Sequence, residues 1–371
     1  MTLHPVTLFA AIASCAVSFI PSVADASSAE TSLTPPGAPA PVLRSLDQIE
    51  PRTPISEPCI ITQPGSYYLT GNITTTSYGI TIRTNNVTLD LMGYTLSGDR
   101  GASDYGIWVD GSSTAIRSGV CIRNGTVSTF GYGVLLGNAR GCRLENIACT
   151  TNLNHGIYLR GDSGICKDNI LRHCLSIANG FGIVLGATSS GACEGNRITD
   201  CLVERNGAYG VILNGNGGSC TFNEVLSSVI RDNKNNGVFM DGSFSGFCFG
   251  NTIRNCLINN NGQNGVDMQA YQGTCSGNRI INCGLGANSL YGLYVYYASE
   301  NCFWGNNLSA SGTANLATEN SSGNYILQNA SFGAPASYIV DINQAYGPLV
   351  TAAGELSITG SAAHPWANFS R

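Results

Sequence analysis

Tyr209-Gly210-Val211-Ile212-Leu213 is one of nine variants of a single pattern: an aromatic or polar residue, a glycine, then two apolar residues with one position between them. The glycines are Gly79, Gly106, Gly133, Gly156, Gly182, Gly210, Gly237, Gly265 and Gly292, spaced by 27, 27, 23, 26, 28, 27, 28 and 27 residues. A period of this size predicts stacked repeats that bury their cores against one another. Around the pattern lie short alternating runs such as Val87-Thr88-Leu89-Asp90-Leu91 and Val120-Cys121-Ile122, bounded by Gly, Asn or Ser. Alternation of period two marks strands with one buried face. No apolar stripe of period 3.6 supports a helical solenoid. The leucine-rich signature is absent, and a period near 27 does not suit left-handed hexapeptide coils. Three short strands per coil do fit.

In the later repeats whole columns recur. One asparagine column is Asn169, Asn196, Asn223, Asn251 and Asn278; a second is Asn179, Asn206, Asn233, Asn261 and Asn288. Asparagine at strand corners can bond backbone groups and its counterpart in the next coil, so these residues read as stacked amide ladders.

The runs Asn86-Val87-Thr88-Leu89-Asp90-Leu91-Met92-Gly93-Tyr94-Thr95-Leu96-Ser97-Gly98 and Ile122-Arg123-Asn124-Gly125-Thr126-Val127, followed by the N-x-I-x-x-C/N-x-V units, resemble secreted right-handed parallel β-helix proteins of the pectin-lyase-like superfamily. The entry Gln63-Pro64-Gly65-Ser66-Tyr67-Tyr68 and the tail His364-Pro365-Trp366-Ala367-Asn368-Phe369 resemble the ends of uncharacterised bacterial members. The fold class expected is therefore all-β, a single-stranded right-handed parallel β-helix. The resemblance implies an extracellular protein and says little about a reaction.

The ends set the expected organisation. Residues 1–26 read as a secretory signal, with an apolar Val6–Ile20 stretch and Ala24-Asp25-Ala26 before a cleavage point. An alternative takes Ile12-Ala13-Ser14-Cys15 as a lipobox with Cys15 lipidated. Residues 27–55 form a Pro/Ser/Ala-rich tether, in which Leu43 to Ile49 suit a short capping helix. Residues 56–308 make the β-helix, and 309–371 a capping segment that covers its open end. The location expected is secreted or cell-surface, with no transmembrane segment in the mature chain. A formal charge of −5 and 11% charged residues give no basic footprint for nucleic acid.

Cysteines also stack: Cys166, Cys193, Cys220, Cys248, Cys275 and Cys302 in one column, and Cys174, Cys201, Cys256 and Cys283 in another that Ser228 interrupts. Eight residues across a corner are too far apart to pair, so any disulfide links neighbouring coils. Free thiols serving as small apolar filler are the alternative. No CxxC pair or His cluster offers a zinc site.

For function, the position two after each glycine gives an outward stripe that includes Trp108, Tyr158, Phe239, Asp267 and Tyr294; beside it run Asp110, Arg160, Asp241 and Tyr296. Aromatic and polar groups so interleaved suit either a polysaccharide in an extended groove or burial against the tail or a partner. Trp108, Tyr158, Arg160, Phe239, Tyr294 and Tyr296 are the candidate contacts. Asp241 and Asp267, one coil apart, are the candidate acid/base pair of a glycoside hydrolase or lyase. Asp99, Asp104 and Asp110 are the place where Ca²⁺ would bind a lyase; otherwise no cofactor is implied. No long loops interrupt Cys166 to Cys302, so any site is shallow. The reading is an exported, non-catalytic protein contacting polysaccharide or another surface component, with a carbohydrate-active enzyme as its rival.

Overall fold

A computed structural model describes residues 51–351 and 364–370. The expected signal, most of the expected tether with the capping helix expected in it, and part of the expected C-terminal cap lie outside them. Among the described residues every regular element is a strand, all paired in parallel, and no helix is long and apolar enough to cross a membrane. The organising element is a 12-stranded sheet that takes one strand from each coil, from Cys59–Ile61 through Val211–Asn214 to Ala336–Ile339. We call it the glycine sheet. A 24-stranded sheet collects mostly two strands per coil, such as Ile170–Arg172 and Leu175–Ile177, and a 7-stranded sheet runs from Arg117–Ser118 to Thr274–Ser276.

The glycine motif resolves into distinct jobs. Val211 and Leu213 belong to the continuous core, whereas Ile212 points away from it and is absent from that cluster. A Cβ on Gly210 would stand 2.6 Å from the Gly237 carbonyl oxygen and 2.7 Å from the Asn233 side-chain nitrogen. The glycine is needed because the next coil's backbone passes too close for any side chain.

Both asparagine columns form hydrogen-bonded ladders. Asn196 shows the unit: its backbone N–H and its Nδ2 both donate to Asn223 Oδ1 at 2.9 Å, and its Nδ2 also reaches the Cys166 carbonyl at 3.0 Å. Each ladder residue follows one with positive φ, for example Asp168 before Asn169 and Arg205 before Asn206. The left-handed residue turns the chain, and the amide replaces the hydrogen bonds that the turn interrupts. A third corner uses the same device with other side chains. Cys174, Cys201, Ser228, Cys256 and Cys283 each follow a positive-φ residue, and each donates to the carbonyl two residues back. Ser228 therefore continues the column, and further on Asn306, Asn329 and Asn368 take the same place.

All fourteen described cysteines are free thiols; Cys59, Cys121 and Cys302 are half-buried and the remaining eleven are buried. In the seven-stranded sheet Cys166, Cys193, Cys220, Cys248 and Cys275 lie in direct register. The ladder amides of Asn169 and Asn196 donate to the sulfurs of Cys166 and Cys193 at 3.3 and 3.4 Å. Cys302 was expected in this column but pairs with Arg279 in the large sheet instead. The reason is a shorter coil: once the third sheet ends at Ser276, ladder partners are 23 residues apart, as in Asn278 to Asn301 and Asn301 to Asn324. We expect a bulky thiol reagent to label only Cys59, Cys121 and Cys302 among these under native conditions, with the rest reacting in denaturant. Rapid labelling of the Cys166–Cys275 column, or an intact mass that rises on reduction, would refute this.

Two boundaries move. Thr53–Ile55, assigned to the tether, is already a strand paired with Tyr67–Leu69. Stacking also runs past residue 308, through Ala314–Glu319 and Ala336–Ile339 in the glycine sheet.

Candidate functional site

The outer face of the glycine sheet carries two adjacent side-chain columns. One is the expected stripe two residues after each glycine. The other is the residue before the glycine, which sequence reasoning noted in the motif but did not place on the surface. Its rings stack coil on coil: Tyr78–Tyr105 at 5.7 Å between centroids, Tyr105–Tyr132 at 4.9, Tyr132–His155 at 5.0, His155–Phe181 at 5.1 and Phe181–Tyr209 at 6.1, and Tyr209 then stacks on Phe239 at 5.1 Å. Beneath this ladder Leu135, Val184 and Ile212 are buried although they point away from the core. The stacked rings spend their faces on one another, so along this stretch few faces remain for a sugar.

The ladder breaks where the residue before the glycine becomes Asn236 and then Asn264. Both Nδ2 atoms donate to Asp267 Oδ2 at 2.9 Å, and Gln269 Nε2 donates to Oδ1 at 3.2 Å. Asp267 is only 4% exposed. Burial, opposed by these three amides and reinforced by the charge of Asp241, pushes its carboxyl up to about 6. In register, Asp267 lies between Phe239 on the preceding coil and Tyr294 on the next.

Asp241 is placed differently. It is half-buried, accepts the Ser243 N–H at 2.9 Å, and is in register with Gln269. Gln269 therefore sits beside Asp241 and bonds Asp267, so the two candidate carboxylates share a neighbour and are not bonded to each other.

An aromatic corner borders this polar patch. On the following coil Tyr291, Tyr294, Tyr296 and Tyr297 run across the strand, with centroids 4.8, 6.2 and 4.5 Å apart in turn. The row then bends along the turns, Tyr297 to Tyr271 at 5.8 Å and Tyr271 to Phe244 at 6.1 Å, with planes 72° and 74° apart. Edge-to-face packing leaves ring faces open, and Phe244, Tyr271 and Tyr297 are 60, 47 and 41% exposed. Tyr294 donates its hydroxyl to Glu319 Oε2 at 2.5 Å. Of the expected contacts Tyr294 and Tyr296 lie here, while Phe239 ends the stacked ladder; Phe244, Tyr271 and Tyr297 were missed, because they lie on turns outside the repeated columns.

Trp108, Tyr158 and Arg160 occupy the same sheet nearer its N-terminal end, Arg160 being four coils, or about 19 Å, from the coil of Asp267. Of the acidic trio considered for Ca²⁺, Asp110 is ion-paired with Arg83 at 2.8 Å and Asp99 accepts the Gly101 N–H. Among the described residues no three His, Cys, Asp or Glu side chains converge on a common point.

Residues 66–226 match a family model described as a right handed beta helix region. Comparison with curated proteins finds no match. Among solved structures the chain is similar to the periplasmic alginate epimerase AlgG, at 12% identity and a TM-score of 0.56 over 84% of this chain and 75% of that one. It is also similar to the Agl-KA catalytic domain, at 14% identity and a TM-score of 0.55, over 76% of this chain and 57% of that one. The Dettilon tailspike protein aligns at 14% identity and a TM-score of 0.49, over 86% of this chain and 61% of its own. At such identities what is shared is architecture: the chain is a right-handed parallel β-helix.

Proposed function

We propose that this is an exported β-helix that binds a polysaccharide at the aromatic corner formed by Phe244, Tyr271, Tyr296 and Tyr297, without turning it over. The observation that carries the reading is the contrast between the two ring arrays. The ladder from Tyr78 to Phe239 is stacked on itself, while the corner keeps open faces beside a patch of Asp241 and Gln269 that can hydrogen-bond sugar hydroxyls. The similarity in fold to an alginate epimerase and to a catalytic domain lends this reading its context. The leader-like residues 1–26 support export.

One observation favours the enzymatic rival. A carboxyl raised to about 6 beside a second carboxylate is the environment of a general acid. Against it, the Asp267 carboxyl is covered and both its oxygens are held by amides, so it does not reach a glycosidic oxygen as it stands.

The test is a glycan panel scored for binding and for released product. We expect at least one neutral glycan to bind without release, and Tyr271→Ala or Tyr297→Ala each to weaken it by roughly 2–10-fold, the loss of one aromatic contact. Product release that Asp267→Asn abolishes would overturn the non-catalytic reading. Unchanged affinity in the double variant would remove the corner as the binding site.

A further inference from the structure

We infer that the glycine sheet holds a second site, at Trp108 and Arg160, that binds an oxyanion, the carboxylate or sulfate group of a ligand. It goes beyond the aromatic corner and does not depend on it. Five buried side-chain polar atoms among the described residues lack any hydrogen-bond partner, and three of them are here: Trp108 Nε1, His155 Nδ1 and Arg160 Nε. Buried donors are almost always satisfied, so two orphaned donors beside each other call for an acceptor.

The register shows how they meet. Asp110, Gly137, Arg160 and Gly186 follow one another on successive coils. Gly137 and Gly186 leave room on either side of Arg160, and two rings lean into it. A Cβ at Gly137 would lie 3.6 Å from Trp108 Nε1, and one at Gly186 would lie 3.0 Å from Tyr158 Cε2. Burial raises the hydroxyls of Tyr105 and Tyr158 while the positive charge of Arg160 lowers them, so the guanidinium is within electrostatic reach of both rings.

The two orphaned donors belong to side chains that only donate. Trp offers one N–H and Arg five, and neither accepts a hydrogen bond. Of the nearby carboxylates, Asp110 is ion-paired with Arg83, and Asp162 has an interaction of its own. His155, held neutral by burial with its pKa pulled down to about 4, adds no charge. Arg117 and Arg160 are both half-buried without a salt bridge to a described residue, but Arg117 donates its Nε to the Asp110 carbonyl, whereas Arg160 Nε has no partner and is shielded enough for an anion to interact strongly with it. A groove of about 390 Å³, lined by Ile60, Tyr78, Thr81 and Arg83 on the preceding coils, borders Trp108. A planar carboxylate matches the Arg fork and leaves an oxygen for the indole N–H.

The indole N–H resonance of Trp108 in ¹⁵N-labelled full chain, assigned by its loss in Trp108→Phe, reports on the site. Sodium glucuronate, acetate and sulfate would be titrated at constant ionic strength, with glucose as the neutral control. A saturable shift with an anion and none with glucose is expected. Arg160→Gln should weaken it at least tenfold, and Arg160→Lys should weaken it less, with circular dichroism unchanged in both. Glucuronate binding more tightly than acetate assigns the group to an acidic sugar, and equal affinity assigns it to a small free anion. No saturable shift, or the same shift in Arg160→Gln, would overturn the site. Neutral-glycan binding at Tyr271 and Tyr297 should be indifferent to Arg160→Gln, so the two readings fail separately.

Discussion

Asn223→Ala is expected to destabilise the β-helix by about 3–5 kcal/mol, the largest effect foreseen for a single side chain. Its Oδ1 accepts from both the backbone N–H and the Nδ2 of Asn196 at 2.9 Å. Its Nδ2 donates to the Cys193 carbonyl and to Asn251 Oδ1, each at 3.0 Å, and to Cys220 Sγ at 3.3 Å. Alanine deletes all of these. Asn196 Nδ2 keeps its bond to the Cys166 carbonyl, but the Asn196 backbone N–H is left buried with no acceptor. An orphaned buried N–H costs about 1–3 kcal/mol and each lost bond adds about 1. Denaturant unfolding of the two proteins measures the difference. A loss below about 1 kcal/mol would mean that water replaces the amide and that the ladder ornaments the corner without holding it. Because neighbouring coils stabilise one another, the damage should spread to adjacent repeats and appear as early hydrogen exchange around residues 193–251.

The same ladder shows what a sequence reveals in this fold. Columns spaced by the coil length announce themselves, so the asparagine and glycine positions and the strand order were all legible. Even Ser228, which looked like an interruption in a cysteine column, has the same role as its neighbours once the corner is seen. What stayed hidden is who covers whom. Alternation says that Leu135 and Asp267 point outward, but not that a ring ladder one column away buries the first, or that two asparagines seal the second. Exposure at the corner is likewise a property of turns: Phe244 and Tyr297 have positive φ on segments of no fixed column. Nor does a period of 27 foretell its own shortening to 23, which carried the stacking past residue 308 and removed Cys302 from its expected place.

Asp267 leads to the second large expectation: between about pH 4 and pH 7 the wild-type protein loses stability relative to Asp267→Asn. Burial raises the native carboxyl from its ordinary 3.8 to about 6, so in that window the native state holds a proton that the unfolded chain has released. Stability falls with pH wherever the native state binds more protons. The favourable contribution is thus complete below about pH 4 and is gone once pH passes the native pKa. The full change is about 3 kcal/mol. Asparagine fits the same hydrogen bonds: one oxygen can accept from Asn236 and Asn264, and a turned Gln269 amide can accept from the new Nδ2. The variant should accordingly be the more stable protein at pH 7.5 and match the wild type near pH 4. The difference between the two profiles is the quantity to read, because Asp90, whose pKa is lowered against its own burial by Met92 N–H, Asn124 and Arg123, pulls the common background in the opposite direction. A variant less stable than wild type at pH 7.5 would show that the three amides hold an ionised carboxylate well enough to outweigh its burial. If the expected order is found, an acid stands where its amide would make a firmer protein. Structural need then does not explain it, and ligand affinity and product release in Asp267→Asn become the measurements that can.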